Sequence, residues 1–520
     1  MTGRRIRQGG IDPTSAAATG DDDVTGQTVY SPSRLDPVVR AASTVVGGPA
    51  GRRLASRTGF WGAIPVLILL AAAMLSFGIV EKQHCRAQGW SSPDQFWHAC
   101  YSDIPVLYGS APLGGDDRSG LVDSLGQGGL GQPPLSGALM WITSSLVPDG
   151  PNAARNFFDL SAVLLLVVLV IGVAAVALTA GRRSWDAAHL AVSPVLITAG
   201  LISYQLLAVT LLAVTLLALA RGRPIVAGLL LGLAVASAPQ VAVVGLAVVV
   251  LAGRFPSARA GSVPGPAVTV GGSALACWLI VRVVLLPGLT GQLSSAWKGW
   301  VDAVPGYGSL WLTPQLFGAS EPNPAESLGG RALQLLFGWV FRIGALGGTS
   351  AAVLSLLSLA ALVVVVLRLT LIADEPDSEN PALISAGEFI RTKVAPLSLA
   401  LLAAVLFTAK SLPIQASLLL LPLIALSGLR WRDHLIWAGT EVAYFVAIWL
   451  YIAGETTPNR GLPALFYLIL LAARLSGIAW IGVQGVLTYR SSVESVDFGP
   501  DEPMDEVHED RVPADRFLPR

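Results

Sequence analysis

Charge is what this chain of 520 residues has least of. Charged side chains make up 13% of it against 53% hydrophobic, and mean hydropathy is +0.63. A soluble domain carries roughly 25% charged residues, so the shortage excludes an ordinary water-soluble fold and points to lipid as solvent. Net charge is +0, which removes the electrostatic case for nucleic acid as a partner. Lysine is scarcer still. Only four of the 34 basic residues are lysine, at Lys82, Lys298, Lys393 and Lys410. With 3 cysteines the chain is no disulfide scaffold. No HExxH or P-loop occurs and nothing resembles a Rossmann fingerprint in its strand–turn–helix setting, which argues against nucleotide-linked substrates, and no metal or cofactor is expected. The one DxD-like run, Asp21-Asp22-Asp23, lies in a polar tail.

What is there is long apolar runs. A helix needs roughly 20 apolar residues to cross the hydrocarbon core. Runs at 59–80, 157–180, 265–287, 347–372, 433–453 and 462–486 meet that length. Shorter runs pair as hairpins, 187–202 with 204–220, 224–237 with 238–252, and 395–410 with 412–429. The reading is an all-α polytopic membrane protein of about twelve transmembrane helices. A polar segment 1–58 and an acidic one 491–520 flank the membrane domain 59–490 as disordered tails. The polar start is too long for a signal peptide.

Arginine placement orients the chain. Arg52, Arg53, Arg57, Arg182, Arg183, Arg221, Arg223, Arg254, Arg259, Arg391, Lys393, Arg430 and Arg432 all fall on one face if both tails are cytoplasmic. Loops 81–156 and 288–346 and the turn Thr408–Gln415 then lie outside the cell (inner) membrane. Two apolar stretches, 134–147 and 331–346, suit helices lying in the outer interface. No internal repeat is evident, against the inverted-repeat transporters.

The first outer loop concentrates chemistry. Cys85 and Cys100 share it, in a compartment where disulfides persist, and are expected to pair; Cys277 reads as a core thiol. Asp103 follows, then Gln132-Pro133-Pro134-Leu135, then Gly150, Asn152 and Arg155 entering the second span. This layout resembles the GT-C superfamily of membrane glycosyltransferases that use polyprenyl-phosphate sugars. A distant second match, Lys410-Ser411-Leu412-Pro413-Ile414-Gln415 followed by Leu418–Pro422, resembles a turn of the polyprenol-phosphate-mannose-dependent mannosyltransferases. Gln205 and Ala238 depart from that family's usual residues, so those positions carry nothing over.

The resemblance implies a transferase moving a sugar, mannose first, from a polyprenyl-phosphate donor to an envelope glycolipid or lipoglycan, with Asp103 as general base. Asp is also a favoured N-cap, and a helix starting near Ile104 could use it so. Asp116, Asp117 and Asp123 read as solvated loop charges. Phosphate contacts are expected from Lys410, Ser411, Gln415 and Arg342, with Arg331 and Lys298 behind them, although a lysine at a helix end can equally snorkel. His98, Tyr101, Trp311 and the intramembrane Glu441 are candidates for substrate contact. Trp297, Trp300, Tyr307 and Trp311 also fit an interfacial aromatic belt. The competing reading is a transporter or flippase of lipid-linked intermediates, which should carry its polar residues near the midplane.

Overall fold

The structure is a computed structural model. It describes residues 62–497 apart from 111–112, 114–119, 122–124, 126–129, 252–264, 287–288, 320–345, 372–384 and 458–459, together with Val38 and Ala41. Asp116, Asp117, Asp123, Arg331, Arg342 and nearly all of both predicted tails lie outside the described residues.

Every regular element is helical, and no strand occurs among the described residues. That is what lipid demands, because a helix satisfies its backbone N–H and C=O groups within one segment. Among the described residues seven helices are long and apolar enough to cross a membrane: Ala63–Glu81, Ala153–Ala191, Pro266–Leu285, Gly348–Thr370, Ala386–Thr408, Trp431–Thr456 and Ala464–Ser491. Four shorter apolar helices join them, Gln205–Ala220, Pro224–Ser237, Pro239–Leu251 and Ile414–Ser427. Leu69, Phe77, Val163, Val167, Leu275, Ile280 and Val284 project from the outside of the bundle. In water such a surface would aggregate; around a membrane-embedded bundle it is the lipid-facing side.

Glycines set one close approach. A Cβ at Gly232 would collide with the Ala274 carbonyl and Cys277, so Pro224–Ser237 packs backbone-close on Pro266–Leu285, as small residues permit between membrane helices.

Two expectations need correction. The run 187–202 is not one helix: it breaks into a 3-10 turn over Gly181–Ala187 and short helices Ala188–Ala191 and Pro194–Ala199. Pro194 lacks the N–H that a continuous helix would need and disfavours helical backbone at Ser193. Ser193 is extended, at φ −66° and ψ 129°. At the other end, the last helix runs on to Asp497, past the point where a disordered tail was expected to begin. The stretch 134–147 does form a helix, Pro134–Ser145, and its 12 residues are too few to cross.

Candidate functional site

The broken segment builds the site. Its bends turn the carbonyls of Leu201 and Ile202 toward the loop that follows the first span. Ser102 Oγ donates to Leu201 O at 2.7 Å, and the Asp103 backbone N–H donates to Ile202 O at 2.9 Å. Asp103 opens the helix Asp103–Ser110, but the capping is done by its neighbour: the Ile104 N–H donates to Ser102 Oγ at 3.3 Å. The Asp103 carboxylate is therefore free of the cap role.

That carboxylate has two side-chain donors. Tyr101 OH donates to Oδ1 at 2.8 Å, and Gln415 Nε2 donates to Oδ2 at 3.3 Å. Gln415 lies 312 residues away in the chain. The two stretches that carried the family resemblance thus meet at one carboxyl group.

Lys82 is a fourth member, and it was not among the expected site residues. It caps the first span, is wholly buried, pairs with Glu81 at 2.8 Å, and lies over the Phe445 ring at 4.9 Å. Burial raises the Asp103 pKa above its ordinary value; the Tyr101 hydrogen bond and the Lys82 charge pull the other way without cancelling it. Tyr101 is itself raised, first by burial and then by the adjacent carboxylate. An aromatic wall backs the group: Tyr101 lies 4.7 Å from Trp449 and 5.5 Å from Phe96, centroid to centroid. A carboxylate so placed, raised toward working pH and within reach of neutral donors, suits proton abstraction.

The Lys410 turn is built differently. Lys410 Nζ donates to three carbonyls, Trp300 O at 2.7 Å, Gly348 O at 2.9 Å and Val301 O at 3.1 Å. An ammonium has three protons, so none remains for a phosphate. The expected phosphate role of Lys410 gives way to a structural one: it ties the turn to the last turn of Leu289–Asp302 and to the start of Gly348–Leu371. Backbone bonds complete the seam, Gly306 N–H to Lys410 O at 2.8 Å and Leu412 N–H to Tyr307 O at 3.1 Å. Trp311, expected at substrate, donates its Nε1–H to Thr408 O at 2.9 Å and belongs to the same seam. Gly308 sits at φ +78°, and a Cβ there would run into Leu412 O and Arg474, so only glycine lets the two segments of this seam approach. Ser411 stands exposed on the turn.

Glu441 resolves in the same direction. It is fully buried and pairs with Arg474 Nε at 2.9 Å. Arg474 also donates to Leu412 O at 2.8 Å, Pro413 O at 3.1 Å and Ser417 Oγ at 3.2 Å. The pair holds the turn that carries Gln415 and is not itself open to substrate. An arginine inside the apolar run 462–486 was the signal for it.

His98 also leaves the expected group. Its ring stacks on His84 at 3.5 Å, and its Nδ1 faces Asp94 Oδ1 at 3.2 Å. The disulfide Cys85–Cys100 closes this loop, with both cysteines buried. Lys298 is exposed on the helix Leu289–Asp302. Structure thus brings Asp103, Tyr101 and Gln415 together, adds Lys82, and assigns Lys410, Trp311 and Glu441 to the scaffold. No family model, curated protein or solved structure matches the chain.

Proposed function

We propose that the chain is a GT-C-like membrane glycosyltransferase. It crosses the membrane about twelve times, with both termini cytoplasmic and the Asp103 end outside. It moves a sugar, mannose first, from a polyprenyl phosphate to an envelope glycolipid or lipoglycan. The observation that carries this reading is the Asp103–Gln415 contact, which joins two motifs that the resemblance had named separately.

The chemistry needs one base. Asp103 takes the acceptor hydroxyl proton as that oxygen bonds to the anomeric carbon. The bond from that carbon to the phosphate oxygen breaks, and the lipid phosphate departs with the electron pair. One displacement inverts the anomeric centre. Tyr101 and Gln415 fix the two carboxylate oxygens, and the Lys82 charge limits how far burial raises the group. The Lys410 seam and the Glu441–Arg474 pair position Gln415. Ser411 is the exposed hydroxyl of the turn that could meet the phosphate, and Arg342 is a further cation for it on the second loop.

Purified protein in nanodiscs tests the reading with polyprenyl-phosphate mannose, polyprenyl-phosphate arabinose and GDP-mannose, each beside a mixed envelope-lipid acceptor. Transfer from a lipid-linked donor alone is expected. Turnover with GDP-mannose in the absence of polyprenyl lipid would sink it, and movement of an unmodified lipid-linked sugar across proteoliposomes would put the transporter reading in its place.

A further inference from the structure

We propose that His84, Asp94 and His98 form a binding site for a zinc-class divalent metal on the disulfide-closed clip. The proposal does not depend on the glycosyltransferase reading, and it goes against the sequence expectation that no metal is held.

Three donor atoms converge from separate points of the loop. His84 Nε2 lies 2.7 Å from Asp94 Oδ2, and His98 Nδ1 lies 3.2 Å from Asp94 Oδ1. One ligand atom from each residue falls within 4.8 Å of the others, and this is the group of three such side chains found among the described residues. Tetrahedral zinc with bonds near 2.0 Å holds its ligand atoms about 3.3 Å apart, so the spacing suits the ion once the histidine rings rotate out of their stack. Imidazole with carboxylate suits zinc and its transition-metal neighbours over calcium or magnesium, which prefer all-oxygen shells.

The frame is rigid where a metal site needs it to be. His84 adjoins Cys85 and His98 lies two residues before Cys100, so the disulfide clamps both ends of the ligand set. Arg86 forks onto Asp159 at 2.6 and 2.7 Å, tying the clip to the second long helix. Trp97 Nε1–H donates to Arg460 O at 3.0 Å on the far side. The two imidazoles stack nearly parallel, 15° apart, so at least one ring turns about its side-chain bonds to bring both in-plane lone pairs onto a single ion. The three side chains remain 36–46% exposed, enough for the ion to enter and for water to take a fourth position. The pattern escapes sequence motifs because its members lie ten and four residues apart, unlike any standard zinc spacing. Next to it, Phe96 packs on Tyr101, so a bound ion would also brace the floor beneath the Asp103 carboxylate.

The test uses the full-length protein, stripped with a chelator and titrated with zinc against a fluorescent competitor. One zinc per chain is expected, with His84→Ala and His98→Ala each weakening binding more than about tenfold. Mapping of the Cys85–Cys100 bridge in each variant checks that the clip is intact. If a variant fails to assemble, wild-type protein still decides: zinc should shield His84 and His98 from diethyl pyrocarbonate while leaving other exposed sites reactive. No stoichiometric binding, undiminished binding by the His84→Ala/His98→Ala double variant, or unshielded histidines would overturn the site.

Discussion

Two carboxylates in this bundle make a natural contrast. Glu441 is wholly buried and bonded to Arg474, which also grips Leu412 O, Pro413 O and Ser417. Asp103 is only part-buried, held by a tyrosine hydroxyl and an amide with no direct cation partner. The lysines contrast in the same way. Lys410 has all three protons on carbonyls, whereas Lys82 makes one ion pair, with Glu81, beside the Asp103 group. A charge neutralised by a buried ion pair or spent on backbone carbonyls stabilises; a carboxylate held only by neutral donors and still partly exposed can react. The difference separates scaffold from candidate chemistry among residues that sequence alone had grouped together.

The contrast can be broken first at Asp103. Asp103→Asn should reduce sugar transfer by about 10²–10⁴-fold, the usual worth of a general base, while melting temperature and detergent monodispersity stay at wild-type values. A rate within a few-fold of wild type would remove Asp103 as base. The opposite outcome is expected at the other carboxylate. Arg474→Leu strands a buried Glu441 and should cost about 3–5 kcal/mol of stability, read by thermal or denaturant unfolding in detergent. The double change Glu441→Leu/Arg474→Leu should recover part of that loss, because the stranded charge is gone.

Gly308→Ala sharpens the role of the seam. A non-glycine residue in the left-handed region costs about 1–2 kcal/mol, and here the added methyl also meets Leu412 O and Arg474. Lower stability and lower transfer together are expected; an unchanged melting curve would mean the seam is looser than its hydrogen bonds imply. The smallest effect concerns pH. Since burial raises the Asp103 pKa, activity should fall on acidification at a pH above the ordinary aspartate range, as the base becomes protonated. Tyr101→Phe removes a bond that favours the charged form, so the acid limb should move to still higher pH. A limb moving downward would contradict the geometry.

Much of the scaffold was legible from composition. Runs such as 265–287 and 347–372 emerge as Pro266–Leu285 and Gly348–Leu371, because hydropathy and length settle which segments can lie in lipid. The Cys85–Cys100 pair was also readable from local context, and Asp103, Tyr101 and Gln415, which the structure brings together, were each candidates in the sequence. Less legible was anything that depends on a partner far away. Lys410 and Glu441 have the chemistry of site residues, and only their neighbours, three carbonyls and Arg474, reveal another use. His98 sits near Asp103 in sequence yet turns to His84 and Asp94.

The sequence by itself determined that this is a helical protein of the membrane. Transfer of apolar side chains from water is a sum over residues, and a sum can be read along a line. Only the tertiary structure decided which polar groups remain free. It broke the 187–202 run so that Leu201 and Ile202 could hold Ser102 and Asp103, brought Gln415 across 312 residues to the same carboxylate, and buried Lys82 beside it. Hydrogen bonds and desolvation act over a few ångströms, between neighbours that chain order does not name.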